Sequence, residues 1–83
     1  MTRYQDSVFA KRLRAVRSDR GMTQDELADA AGVSRDSVRR WELGINTPGL
    51  DAACALADAL ACSVDDLARP FPATASELAA MTA

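Results

Sequence analysis

The sequence predicts an all-α fold, a compact bundle of five short helices, and three observations carry that reading. The chain is rich in alanine, the residue of highest helix propensity. Apolar residues recur every three or four positions in five separate stretches, most of them bounded by a residue suited to a helix end. No stretch alternates apolar and polar residues with β-branched enrichment, so no strand is expected. Eighty-three residues make one domain with a modest core. With Tyr4, Phe9, Trp41 and Phe71 as its few aromatics, that core must be aliphatic and close-packed.

The first helix is expected over residues 7–20, behind a short arm at 1–6. Phe9, Leu13 and Val16 form its buried stripe, Asp6 or Ser7 its cap, and Gly21 its left-handed stop. The second opens at Thr23, where Thr23-x-x-Glu26 has the spacing of a capping box. Leu27, Ala30 and Ala31 are its expected apolar face, and Gly32 ends it. The third spans 34–43, capped by Ser34, with Val38, Trp41 and then Ile45 pointing inward and Gly44 as the stop. Residues 45–49 read as a loop by their turn chemistry. The fourth helix spans 50–60, with Leu50, Ala53, Cys54, Ala57 and Leu60 as its stripe and Leu56 beside it. Ser63-x-x-Asp66 opens a short fifth helix that holds Val64 and Leu67. Arg69-Pro70-Phe71-Pro72 breaks it, so the domain proper is residues 7–68. Residues 69–83 form a tail, either disordered or a weak helix from Thr74.

Composition excludes several function classes. There is no histidine, and Cys54 and Cys62 lack the spacing of a zinc site, so neither metal nor cofactor is expected. Both cysteines fall at apolar helical positions and read as small buried hydrophobes of a reducing, cytoplasmic compartment. No signal core or membrane-spanning run is present. With no phosphate-binding glycine loop and no paired-carboxylate cleft, an enzyme is not expected. The formal net charge of −2 is unevenly spread. Residues 1–42 carry nine Lys or Arg against seven Asp or Glu, a net +2, and residues 43–83 carry −4. The basic charge therefore lies with the first three helices.

Residues 22–42, MTQDELADAAGVSRDSVRRWE, read as two short helices joined by a tight glycine turn. At about 100° per residue, Asp36, Arg39, Arg40 and Leu43 fall opposite the Val38/Trp41 face, with Arg35 at the edge. A second helix braced in this way is how a small domain places side chains in the DNA major groove. Arginine suits that work, because its planar fork can bond guanine O6 and N7 together. Asp36 has three readings: an acceptor for cytosine N4, a first-turn carboxylate favoured by the helix dipole, or a holder of Arg39 and Arg40 at i+3 and i+4.

The stretch LRAVRSDRGMTQDELADAAGVSRDSVRRWELGINTPGLDAACALADALACSVDDL, Leu13 to Leu67, resembles the helix-turn-helix domains of the phage repressor and Cro type, the xenobiotic-response-element (XRE) family. Five helices, their caps and a WExGxxxP element agree in order and spacing. The resemblance implies a lambda-repressor-like domain that binds double-stranded operator DNA, usually as a homodimer, and regulates transcription, with repression favoured over activation and the sequence not deciding between them. It implies base reading by Ser34, Arg35, Asp36 and Arg40, with Arg39 within reach of a base or a phosphate. Phosphate contacts would come from Gln24, which also braces the recognition helix, and from Asn46, Thr47 and the backbone around them. Arg17 and Glu42 match an ion pair tying the first helix to the third. Some domains of this type instead act as antitoxins or bind a protein partner, here through helix five or the tail. Two departures stand out. The loop after helix three carries uncharged Leu43, Ile45 and Thr47 where the family often has Lys or Arg. Ala61 replaces a frequent glycine, so a turn of another shape is expected there, since a left-handed alanine costs roughly 1–2 kcal/mol.

Overall fold

The computed structural model describes residues 7–68. The arm at 1–6, the tail at 69–83 and the weak helix expected from Thr74 lie outside the described residues. Five helices follow in order among the described residues: α1 (Val8–Asp19), α2 (Gln24–Ala31), α3 (Arg35–Leu43), α4 (Leu50–Ala59) and α5 (Val64–Ala68). No strand occurs among the described residues. α1 packs on α3 and α5, α2 packs on α3 and α4, and α4 packs on α5. None of the described helices is long and apolar enough to cross a membrane.

The helix starts follow from local chemistry. Ser7, Thr23 and Ser34 each accept a hydrogen bond from a first-turn amide. At α2 the bond is reciprocal: the Glu26 amide donates to Thr23 Oγ1 (3.0 Å), and the Thr23 amide donates to Glu26 Oε1 (2.9 Å). Ser63 and Asp66 repeat that exchange at α5, at 3.1 and 3.0 Å. α4 starts at Gly49 with no side-chain cap.

The core is aliphatic and drawn from all five helices: Leu13, Leu27, Ala28, Val38, Leu56, Ala57, Leu60 and Leu67. Phe9, Val16, Met22, Ala31, Trp41, Cys62 and Val64 pack around it. Each fully buried leucine contributes about 1.5–3 kcal/mol. No buried side-chain nitrogen or oxygen among the described residues lacks a hydrogen-bond partner.

Four details differ from the sequence reading. In α2 the buried partner of Leu27 is Ala28, while Ala30 is exposed. The stripe is centred nearer Ala28, and alanines on either side of it look alike in sequence. Ile45 is 48% exposed, because left-handed Gly44 (φ 74°) turns the chain out of the helix and ends its periodicity. In α4 the buried side chains are Ala53, Leu56, Ala57 and Leu60. Leu50, at the projecting first turn, is 74% exposed, and Cys54, about 100° round from Ala53, is exposed rather than buried.

The fourth difference is Ala61. It does adopt the left-handed region, at φ 55°. The Cys62 amide donates to the Ala57 carbonyl (2.9 Å) and the Ala61 amide to the Asp58 carbonyl (3.1 Å). These two bonds satisfy the last carbonyls of α4 in the manner of a Schellman turn. Burial of Leu60 and Leu67 on either side holds the turn in place despite the strained residue.

Candidate nucleic-acid interface

α2 and α3 meet through the turn at Gly32 and Val33. Gly32 (φ 72°) supplies the left-handed bend, and the Val33 amide donates to the Ala28 carbonyl at 3.0 Å. Val33 itself packs against the core. Seating Val38 and Trp41 inward leaves Arg35, Asp36, Arg39 and Arg40 exposed on the other face of α3. A shallow hollow opens between Arg35, Asp36 and Arg39.

The charges on this face are already matched. Asp36 lies 2.9 Å from Nε of Arg40 and 3.8 Å from Nε of Arg39. Both contacts use the i+4 and i+3 spacing of the helix, so its role as a holder is realised in the free protein. Arg35 turns the other way, to Asp25 in the first turn of α2, at 3.4 Å. Sequence reasoning missed Asp25, since no local spacing links residues ten apart across a turn. Its position in the first turn of a capped helix was the only signal, and that is equally a helix-dipole preference. Ser34 is occupied as a cap: its Oγ accepts from the Ser37 amide (3.1 Å) and donates to Ser37 Oγ (2.8 Å).

Behind the face lies a buried polar cluster. Glu42 is 2% exposed. Arg17 of α1 grips it with two parallel bonds, Nε to Oε2 at 2.6 Å and Nη2 to Oε1 at 3.1 Å. The third branch of Arg17, Nη1, donates to the Met22 carbonyl at 2.7 Å. Gln24 Nε2 donates to Glu42 Oε1 at 3.1 Å. One carboxylate thus ties α1, the turn before α2, the start of α2 and the end of α3 together. Gln24 keeps a second amide proton for a ligand. Asn46 and Thr47 are exposed in the loop after α3, separated from Arg35 by the length of that helix.

Two ionisation states are set by local structure, one at the start of α2 and one in the turn between α4 and α5. The Glu26 carboxyl is held below its ordinary range by the Thr23 amide and then the Thr23 hydroxyl. Burial, assisted by Asp66, pushes the Cys62 thiol up, so it stays protonated at neutral pH. No disulfide joins Cys54 and Cys62.

The helix-turn-helix family pattern matches residues 13–67. A prophage-derived uncharacterised HTH-type transcriptional regulator of Bacillus subtilis, YonR, is 32% identical over 60 residues, 72% of this chain and 56% of its own length. The chain spans about half, or less, of the length of the curated relatives it matches. Among solved structures, the restriction-modification controller protein C.AhdI of Aeromonas hydrophila superposes with a TM-score of 0.70 at 33% identity, over 72% of this chain and 91% of that one. The P22 c2 repressor, solved in complex with a synthetic operator, superposes with a TM-score of 0.71 at 32% identity, over 76% of this chain and 96% of its own.

Proposed function

The chain belongs to the helix-turn-helix family, and from that premise we propose that it is a DNA-binding transcription regulator reading operator sites through the major groove with α3. The observation that carries this reading is the presentation of Arg35, Asp36, Arg39 and Arg40 on one exposed face of a helix whose end is anchored by the Arg17–Glu42–Gln24 cluster. The likeness to a repressor solved on operator DNA supports it.

In this reading Arg40 and Arg35 are the principal base readers. Arg39 serves a base or a phosphate, and Asp36 orients Arg40 and Arg39. Ser34 acts first as the N-cap that opens α3 at the groove. The spare Gln24 proton, Asn46 and Thr47 take phosphates on either side. The regulator acts by occupying its operator, as a cytoplasmic repressor, and binds as a homodimer that doubles the few side chains α3 offers.

The test is selection of duplex sites from a random pool, followed by titration of wild type and Arg40→Ala against the selected duplex. Loss of one bidentate reader costs about 1–3 kcal/mol of base discrimination, so Arg40→Ala is expected to weaken binding several-fold or more and to relax selection at its base. Equal affinity of the two proteins for selected and random duplexes would remove the base-reading role. Absence of saturable, salt-sensitive duplex binding would favour the other reading, a protein-interaction module of antitoxin type working through α5 or the tail.

A further inference from the structure

Every arginine on the outward face of α3 meets a carboxylate before any ligand arrives. Asp36 takes Arg40 and Arg39, and Asp25 takes Arg35. All five side chains are at least half exposed, so these pairs add at most about 1 kcal/mol each to the fold. Their consequence falls on the ligand instead. Attraction between a guanidinium and any backbone phosphate is independent of sequence and dominates binding to random DNA. A phosphate that recruits Arg35 must displace Asp25 and then lie close to its negative charge. A base edge offers acceptors to the same guanidinium without a full charge, so it meets far less repulsion from Asp25.

Resting on the DNA-binding reading above, we propose that Asp25 is a specificity-determining residue, which restrains Arg35 from phosphate-only contacts and so lowers affinity for non-operator DNA. Asp25 stands on α2 and Arg35 is the first residue of α3. An unpaired cation at that N-terminal pole would be disfavoured by the helix dipole, so pairing with Asp25 also biases Arg35 toward a place beside the hollow it shares with Asp36 and Arg39.

Asp29 gives a stringent control. It lies one turn along α2 from Asp25, is exposed, and forms no ion pair among the described residues. Fluorescence anisotropy would follow wild type, Asp25→Asn, Asp29→Asn, Arg35→Ala and the Asp25→Asn/Arg35→Ala pair. Each would be titrated with a selected duplex and a random duplex of equal length, over a range of KCl concentrations.

Asp25→Asn is expected to tighten random-duplex binding more than selected-duplex binding, lowering the ratio at least about three-fold. Its salt slope on random duplex should steepen by about 0.9, as Arg35 engages one additional phosphate. Asp29→Asn should shift both duplexes equally and by less. In the Arg35→Ala background, Asp25→Asn should do no more than Asp29→Asn does in wild type. Equal effects of the two asparagine variants, or persistence of the Asp25→Asn effect without Arg35, would overturn the proposal while leaving DNA binding intact. No saturable binding of wild type to either duplex would overturn the DNA-binding reading and this proposal together.

Discussion

Two residues carry energetic consequences out of proportion to their size. Glu42 is a buried carboxylate whose charge is balanced by a single arginine. Arg17→Met would leave that charge with only Gln24, and removing one partner of a buried pair costs about 3–5 kcal/mol. Urea unfolding should register that loss, and Arg17→Met/Glu42→Leu should recover a large part of it. Ala61 is the reverse case, a residue that strains a turn the fold needs. Ala61→Gly removes the clash of Cβ with the backbone, and the midpoint of thermal unfolding should rise by an amount equal to about 1 kcal/mol. The sequence made the left-handed alanine look too costly to form, because it shows the local strain but not the burial of Leu60 and Leu67 that outweighs it.

At the scale of the element, legibility followed range. Helix starts rest on residues three apart, so Thr23, Ser34 and Ser63 could be read directly and the first cap narrowed to Asp6 or Ser7, of which Ser7 is used. Helix faces rest on what packs above them, and runs of alanine in α2 and α4 do not say which is covered; hence Ala28 for Ala30, and the exposure of Cys54. The outward arginines of α3 could be read because Val38 and Trp41 define the inward side. The Asp25–Arg35 contact could not, since it depends on how α2 and α3 cross. The capping box of α2 gives a pH-dependent prediction. Glu26 titrates below its unfolded value, so its stabilisation is present in full above that value and is lost as pH falls through the folded pKa. Thr23→Ala should cost about 1 kcal/mol at neutral pH, raise the Glu26 pKa measured by NMR, and lose part of that deficit in acid.

For the whole molecule, the distribution of charge matters more than the total. Seven of the ten Lys and Arg belong to α1 and α3, whereas α4 and α5 carry Asp51, Asp58, Asp65 and Asp66. With an uncharged loop after α3, a single domain would hold few phosphates, and the proposed dimer compensates by placing two α3 helices about 34 Å apart on successive turns of the duplex. Sedimentation should show a concentration-dependent rise toward twice the monomer mass. A chain ending at Ala68 retains the whole described core; if the tail forms the interface it should remain monomeric, and unchanged assembly would exclude the tail.

Trp41 is the chain's single indole, and it packs half-buried on the inner side of α3, next in sequence to Glu42. Its near-ultraviolet emission therefore arises from one place, the seam between α3 and the core. Quenching or a red shift would signal water reaching that seam before the backbone as a whole gives way. The protein thus carries its own optical gauge of whether α3 is seated.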